Sequence, residues 1–250
     1  MKPGTLQPRA LNLERRSGKD RLIVALDAVR LGQAMAVAKR LRGLVRTVKI
    51  GSALFTAHGP RVVERVRSLG FQVMLDLKFL DIPSTVELSC RAAVRHRVSM
   101  LTVHASGSPA MLEAAVRGAR DEARRRRTRR PRILGVTILT SVDSGHRQGL
   151  RGRVLALAKA ALQAGCDGVV ASAQEAAALR RRFGKRPFIV CPGIRMSHEP
   201  SGDQRRISTP REALANGADA IVVGRSITAA RSPRAAAERI LDEMGDDRGC

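Results

Sequence analysis

The chain has no tryptophan, no tyrosine and only five phenylalanines in 250 residues. That leaves little aromatic surface on which nucleic-acid bases could stack. Its four cysteines, Cys90, Cys166, Cys191 and Cys250, show neither a CxxC pair nor metal-ligand spacing. They read as reduced thiols, and Cys166 and Cys191 sit in apolar contexts typical of core residues. The five histidines form no HExxH or HxxxH pair, so no metal site is expected. No apolar run reaches the 18 residues of a membrane span. The opening stretch, 1–20, is basic and lacks the apolar centre of a secretory signal. It is expected to be a solvated extension ahead of one catalytic domain, 21–245, in a cytoplasmic protein.

Positive charge is abundant. The formal net charge is +24, and the densest cluster is "RRRRTRRPR", Arg124 to Arg132. Such a balance suits a nucleic-acid binder, so an RNA-binding protein on an enzyme-like scaffold is one reading. The arginines are spread along nearly the whole chain, however, and far outnumber the lysines, as compositional drift in a GC-rich genome would produce. Nucleic acid is therefore not the expected partner.

Apolar, β-branched runs alternate with helical ones. The strand candidates are 21–27, 46–51, 71–79, 99–105, 133–140, 167–172, 187–193 and 219–225. Between them, stretches such as 31–44, 108–127 and 232–245 carry apolar residues at i, i+3, i+4 and i+7. Eight strand–helix units predict a parallel (β/α)8 TIM barrel. A doubly wound open sheet would show a glycine-rich turn after its first strand, and "ALDAVRLG" is not one.

The stretch "MLDLKFLDIPSTV", 74–86, raises a question about burial. Buried charges are rare unless paired, yet a core strand ends here in Asp76, Lys78 and, just beyond, Asp81. Alternation puts Val73, Leu75, Leu77 and Phe79 on the helix side of the third strand. Gln72, Met74, Asp76 and Lys78 then face the barrel axis. The first strand ends in Asp27, and the second turns Lys49 away from Val48 and Ile50. Three strands thus deliver charges to the C-terminal rim, where barrel enzymes keep their active sites. Lys49, Asp76, Lys78 and Asp81 are expected to form an array of alternating sign. It could present a fixed ammonium to a developing carbanion without a cofactor.

"DLKFLDIPSTV" resembles the D-x-K-x-x-D-I-P-x-T signature of orotidine 5′-monophosphate decarboxylases. The resemblance extends over Leu22 to about Thr228. It takes in "ALD" with Asp27, "VKIG" with Lys49, "VHASG" with His104, "VTILTS" with Thr140 and Ser141, "PGIR" with Arg195, "DQRR" with Gln204, and "VVGRSIT" with Gly224 and Arg225. It implies a homodimer that converts orotidine 5′-monophosphate to uridine 5′-monophosphate and carbon dioxide in pyrimidine synthesis. It also implies the roles. Lys78 protonates C6, Asp76 lies near the departing carboxylate, and Lys49 and Asp81 hold the array. Asp27 and Lys49 bind ribose hydroxyls, Thr140 and Ser141 meet the substrate with Ser141 at the pyrimidine edge, and Asp81 and Thr85 reach into the partner's site. Arg195, Gln204, Gly224 and Arg225 form the phosphate side. The long polar stretch 193–210 is a candidate lid, and His104 is expected to be a hydrogen-bonded rim residue.

The chain departs from the family pattern at Leu80, Ser84, Ser108 and Ser226. The nearest alternative is a metal-dependent sugar-phosphate lyase or decarboxylase of the same barrel superfamily. Those enzymes share the DxKxxD core and lack the I-P-x-T continuation.

Overall fold

A computed structural model describes residues 17–141, 147–196 and 206–245. Short β-branched runs form the strands: β1 Leu22–Ala25, β2 Thr47–Gly51, β3 Gln72–Phe79, β4 Met100–His104, β5 Arg132–Val136, β6 Gly168–Val170, β7 Phe188–Cys191 and β8 Ala220–Val223. Among the described residues these eight strands pair in parallel, in chain order, and β8 returns to β1 to close the barrel. The helices are α1 Gly18–Arg21, α2 Leu31–Leu41, α3 Ser52–His58, α4 Arg61–Ser68, α5 Pro83–Arg95 and α6 Pro109–Arg125. They continue as α7 Arg147–Gln163, α8 Ala173–Phe183, α9 Pro210–Ala215, α10 Arg225–Thr228 and α11 Pro233–Glu243.

Local chemistry fixes where helices start. Ser108, Thr209 and Ser232 each accept a backbone N–H of the first helical turn, ahead of a proline at the first helical position. Thr209 and Glu212 complete a reciprocal capping box. The departure at Ser108 thus has a structural use as the cap of α6.

The core has two layers, as alternation requires. Val73 and Leu75 join the larger cluster between strands and helices, against which Leu77 and Phe79 pack. Ile23, Met74, Met100, Leu134, Phe188 and Val190 belong to the smaller cluster that fills the barrel. Ala25, Met74, Val136, Val170 and Val222 of the smaller cluster line the cavity at the C-terminal rim, where the inward positions of β2 and β3 turn charged.

Of the first 20 residues only 17–20 are described, and Gly18–Asp20 belong to α1 rather than to a solvated tail. Arg21 donates to the carbonyls of Ala218 and Asp219, which ties α1 to the start of β8.

Candidate active site

The rim cavity is about 520 Å³, within the range of small-molecule sites. Asp27, Lys49, Asp76 and Lys78 line one part of it, Thr140 and Ser141 another, and Arg195, Gly224 and Arg225 a third.

Strand register builds the charged part. Ala25 pairs with Lys49 and Gly51 with Asp76, so β1, β2 and β3 present their charges side by side. Lys49 Nζ lies 2.9 Å from Asp27 Oδ1 and 3.4 Å from Asp76 Oδ2. Lys78 Nζ lies 2.9 Å from the same Asp76 oxygen. The result is an unbroken row, Asp27–Lys49–Asp76–Lys78. A Cβ on Gly51 would stand 3.2 Å from Asp27 Oδ1 and 3.3 Å from Lys49 Nζ, so glycine there leaves the pair its space.

Within one chain the row begins at Asp27. Asp81 is exposed, and its Oδ1 accepts the N–H of Ile82 at 2.7 Å. Among the described residues it touches none of the other three charges within one chain, and Asp27 flanks Lys49 at the end of the row away from Lys78. Thr85 is also exposed and, like Asp81, does not line the cavity.

Lys78 itself is held in an uncommon backbone state. Its φ is +51°, a left-handed conformation that costs a non-glycine residue roughly 1 kcal/mol or more. The β3–β4 register shifts between Leu75 and Phe79, and such irregularities re-aim side chains near active sites. The Lys78 N–H donates to Thr102 Oγ1 at 3.0 Å, and that hydroxyl donates to Asp76 Oδ1 at 2.9 Å. Thr102 is fully buried on β4 and fastens both Asp76 and Lys78. Sequence reasoning missed it. Its one signal is an inward position between Met100 and His104, and threonine is ordinary in strands.

The electrostatics follow from the row. Burial disfavours the charged form of Asp76, but Lys49, Lys78 and Thr102 outweigh it and hold the carboxyl below the usual range. Burial likewise opposes the Lys49 ammonium, and Asp27 and Asp76 outweigh it and raise the pKa. Burial and the nearby Lys78 lower His104, with Asp76 opposing, so the imidazole is neutral at pH 7. It does not line the cavity.

On the arginine side of the cavity, Arg225 begins α10 instead of ending β8, which stops at Val223. Arg195 Nη1 donates to Ser226 Oγ at 3.2 Å, so the serine that departs from the family pattern steadies one guanidinium beside the other. The arm that carries Arg195 is pinned at its stem, where Arg195 N–H donates to the Ser208 carbonyl and Ser208 N–H to Gly193. Gln204 and the centre of the candidate lid, 197–205, lie outside the described residues.

Arg206 was also missed as a functional residue. It is buried, pairs with Glu175 Oε1 at 2.7 Å, and donates to the carbonyls of Ile138 and Leu139 at 3.1 and 3.0 Å. It therefore joins the arm bearing Arg195 to the loop bearing Thr140 and Ser141. Burial pushes the Glu175 carboxyl up despite Arg206.

A ligand here would meet an ammonium beside the buried Asp76 carboxylate at one end and two guanidiniums at the other. Among the described residues no three His, Cys, Asp or Glu side chains converge as metal ligands would. The fold and site define a (β/α)8 barrel with the charged C-terminal-rim cavity of a barrel enzyme. The profile of the orotidine 5′-phosphate decarboxylase / HUMPS family matches residues 20–240, and the chain belongs to that family. An orotidine 5′-phosphate decarboxylase of Moorella thermoacetica is 44% identical over 92% of this chain and 94% of its own. One of Halorhodospira halophila is 46% identical over 91% and 97%. The crystal structure of the decarboxylase from Lactobacillus acidophilus aligns with a TM-score of 0.77, at 34% identity over 90% of this chain and 99% of that one.

Proposed function

We propose that this chain is an orotidine 5′-monophosphate decarboxylase of pyrimidine biosynthesis, releasing carbon dioxide and uridine 5′-monophosphate. The observation that carries the reading is the row Asp27–Lys49–Asp76–Lys78 in one cavity with Arg195 and Arg225. The two guanidiniums bind the phosphate, with Gln204 and the backbone at Gly224. Asp27 and Lys49 hold the ribose hydroxyls, and Thr140 and Ser141 face the base. Asp76 lies beside the departing carboxylate. As the C6–carboxylate bond breaks, its electron pair stays on C6 and takes a proton from Lys78 Nζ. The ammonium is fixed before the reaction, so stabilising the carbanion needs no reorganisation. Phosphate binding remote from C6 drives closure of the arm and supports the chemistry.

The same reading makes the enzyme a cytoplasmic homodimer in which Asp81 and Thr85 complete the partner's site. Both are exposed next to Leu80, Ile82 and Leu88, which are 55%, 63% and 67% exposed. An apolar group of this kind around polar functional residues suits a covered interface. Cys90, Cys166 and Cys191 are free and buried, which suits a reducing compartment.

The test is incubation of purified protein with orotidine 5′-monophosphate, following loss of substrate absorbance and appearance of uridine 5′-monophosphate, with and without chelator. Stoichiometric product at one rate under both conditions is expected. No product, or product only without chelator, would overturn the reading.

A further inference from the structure

The opposite end of the barrel holds a second cavity of about 620 Å³. Its floor is the N-terminal ends of β3, β4 and β5, at Gln72, Met100 and Arg132. Arg67, Arg97, Arg127, Arg129, Arg130 and Arg132 line it, and the one carboxylate among its lining residues is Asp167. That carboxylate is already engaged by Arg130 and by the N–H of Ile133. Among the described residues, no carboxylate is paired with Arg67, Arg97, Arg127 or Arg129. Like charges gathered in one bowl repel, so the protein maintains an unneutralised cationic pocket.

Two further observations set this pocket apart from scattered surface arginine. The first is backbone geometry. In the turns after α2, α4, α7, α8 and α9 the left-handed residue is Gly43, Gly70, Gly165, Gly184 and Gly217. After α5 and α6 it is Arg97 and Arg127, at φ +53° and +51°. Arginine thus stands in strained positions at two of the turns that border the cavity, while the turn after α4, which also borders it, uses Gly70. The second is an orphaned group: Thr128 Oγ1, on the cavity lining, is buried without a hydrogen-bond partner. The Arg132 guanidinium is also held in place, 4.6 Å from the centre of the Phe188 ring.

We propose that this cavity binds a small oligophosphate, the di- or triphosphate group of a nucleotide-sized molecule. Guanidinium forks match phosphate oxygens bidentately, and the volume suits a ligand of that size. The pocket is concave and closed below by the strand ends, which favours a compact anion over an extended polynucleotide backbone. The binding is separate from the phosphate side of the catalytic rim.

The probe is inorganic triphosphate, titrated calorimetrically into the full chain in about 0.15 M potassium chloride, where diffuse surface attraction is screened. The wild type should bind it. Arg97→Asn/Arg127→Asn should bind at least ~10-fold more weakly, with an unfolding midpoint no lower, because asparagine tolerates the left-handed backbone. Arg67→Gln, in a regular helix, should also weaken binding, while Arg225→Ala at the other end should not. Equal binding by all four proteins would reduce the pocket to diffuse charge, and loss in Arg225→Ala alone would move the site to the catalytic rim. Displacement of triphosphate by a single-stranded RNA of about twenty nucleotides, at equal phosphate concentration, would make the face a nucleic-acid surface instead.

Discussion

At the scale of single residues, the proposed chemistry depends on how Asp76 and Lys78 are held. Thr102 donates to one and accepts from the other. Thr102→Val keeps the shape and leaves both groups without that partner, which costs about 1–3 kcal/mol. Equilibrium denaturation should show a loss in that range, and kcat should fall more than KM changes. An unchanged kcat would make Thr102 a packing residue. Protonation adds a second prediction. The lowered pKa of Asp76 means its contribution to stability is complete above the ordinary value of 3.8 and is lost as pH falls through the lowered one. Lys49 acts at the other limit: its contribution is complete below 10.5 and is lost as pH rises through its raised pKa. Asp76→Asn should therefore be less stable than wild type at about pH 6, with the gap closing in acid below the usual carboxylate range. A gap that stays constant into strong acid would contradict the ionised row. Lys49, Asp76 and Lys78 were legible in the sequence because strand alternation fixes which way side chains face. Asp27 was legible as a rim charge for the same reason, but its ion pair with Lys49 was not, because the two meet through the β1–β2 pairing and not through sequence proximity.

At the scale of elements, the strand starts were read well and several strand ends were not. The run 133–140 is mostly apolar and β-branched, yet β5 ends at Val136. The carbonyls of Ile138 and Leu139 are taken by Arg206, more than sixty positions away, and no local pattern reports that. The same arginine neutralises Glu175 in a buried pair with both side chains under 10% exposed. Removing one partner of such a pair costs roughly 3–5 kcal/mol, because the other charge stays buried. Arg206→Met should show a loss of that order by urea denaturation, and Arg206→Met/Glu175→Leu should recover most of it. A single variant as stable as wild type would mean the two loops are joined by other contacts. Glu122 shows the same principle on α6. It is covered by Arg95, Arg125 and Arg126, which hold its carboxyl well below the usual range. Part of the arginine-rich stretch is thus structural, which its composition alone did not reveal.

At the scale of the whole molecule, the barrel separates two cationic ends of different character. The C-terminal rim balances its lysines with carboxylates, while the N-terminal bowl does not. The barrel itself was legible, because eight alternating units leave few ways to bury their apolar faces. Assembly is the feature one chain cannot display. If Asp81 completes the partner's site, inactive Lys78→Ala and Asp81→Ala chains should rescue each other when subunits exchange. One site of each mixed dimer would regain both residues, so about a quarter of all sites should recover in a two-fold dimer. Exchange shown by mass spectrometry with no return of activity would place Asp81 in its own chain's service.

The central claim is that the Lys78 ammonium, fixed by Asp76, delivers the proton as the carboxylate leaves. The most direct measurement is the turnover of Lys78→Ala on orotidine 5′-monophosphate, with the fold checked by circular dichroism. Losing a proton donor that also stabilises charge should lower kcat by at least ~10³-fold, about 4 kcal/mol of barrier. A folded variant that keeps a tenth of wild-type turnover would contradict the account.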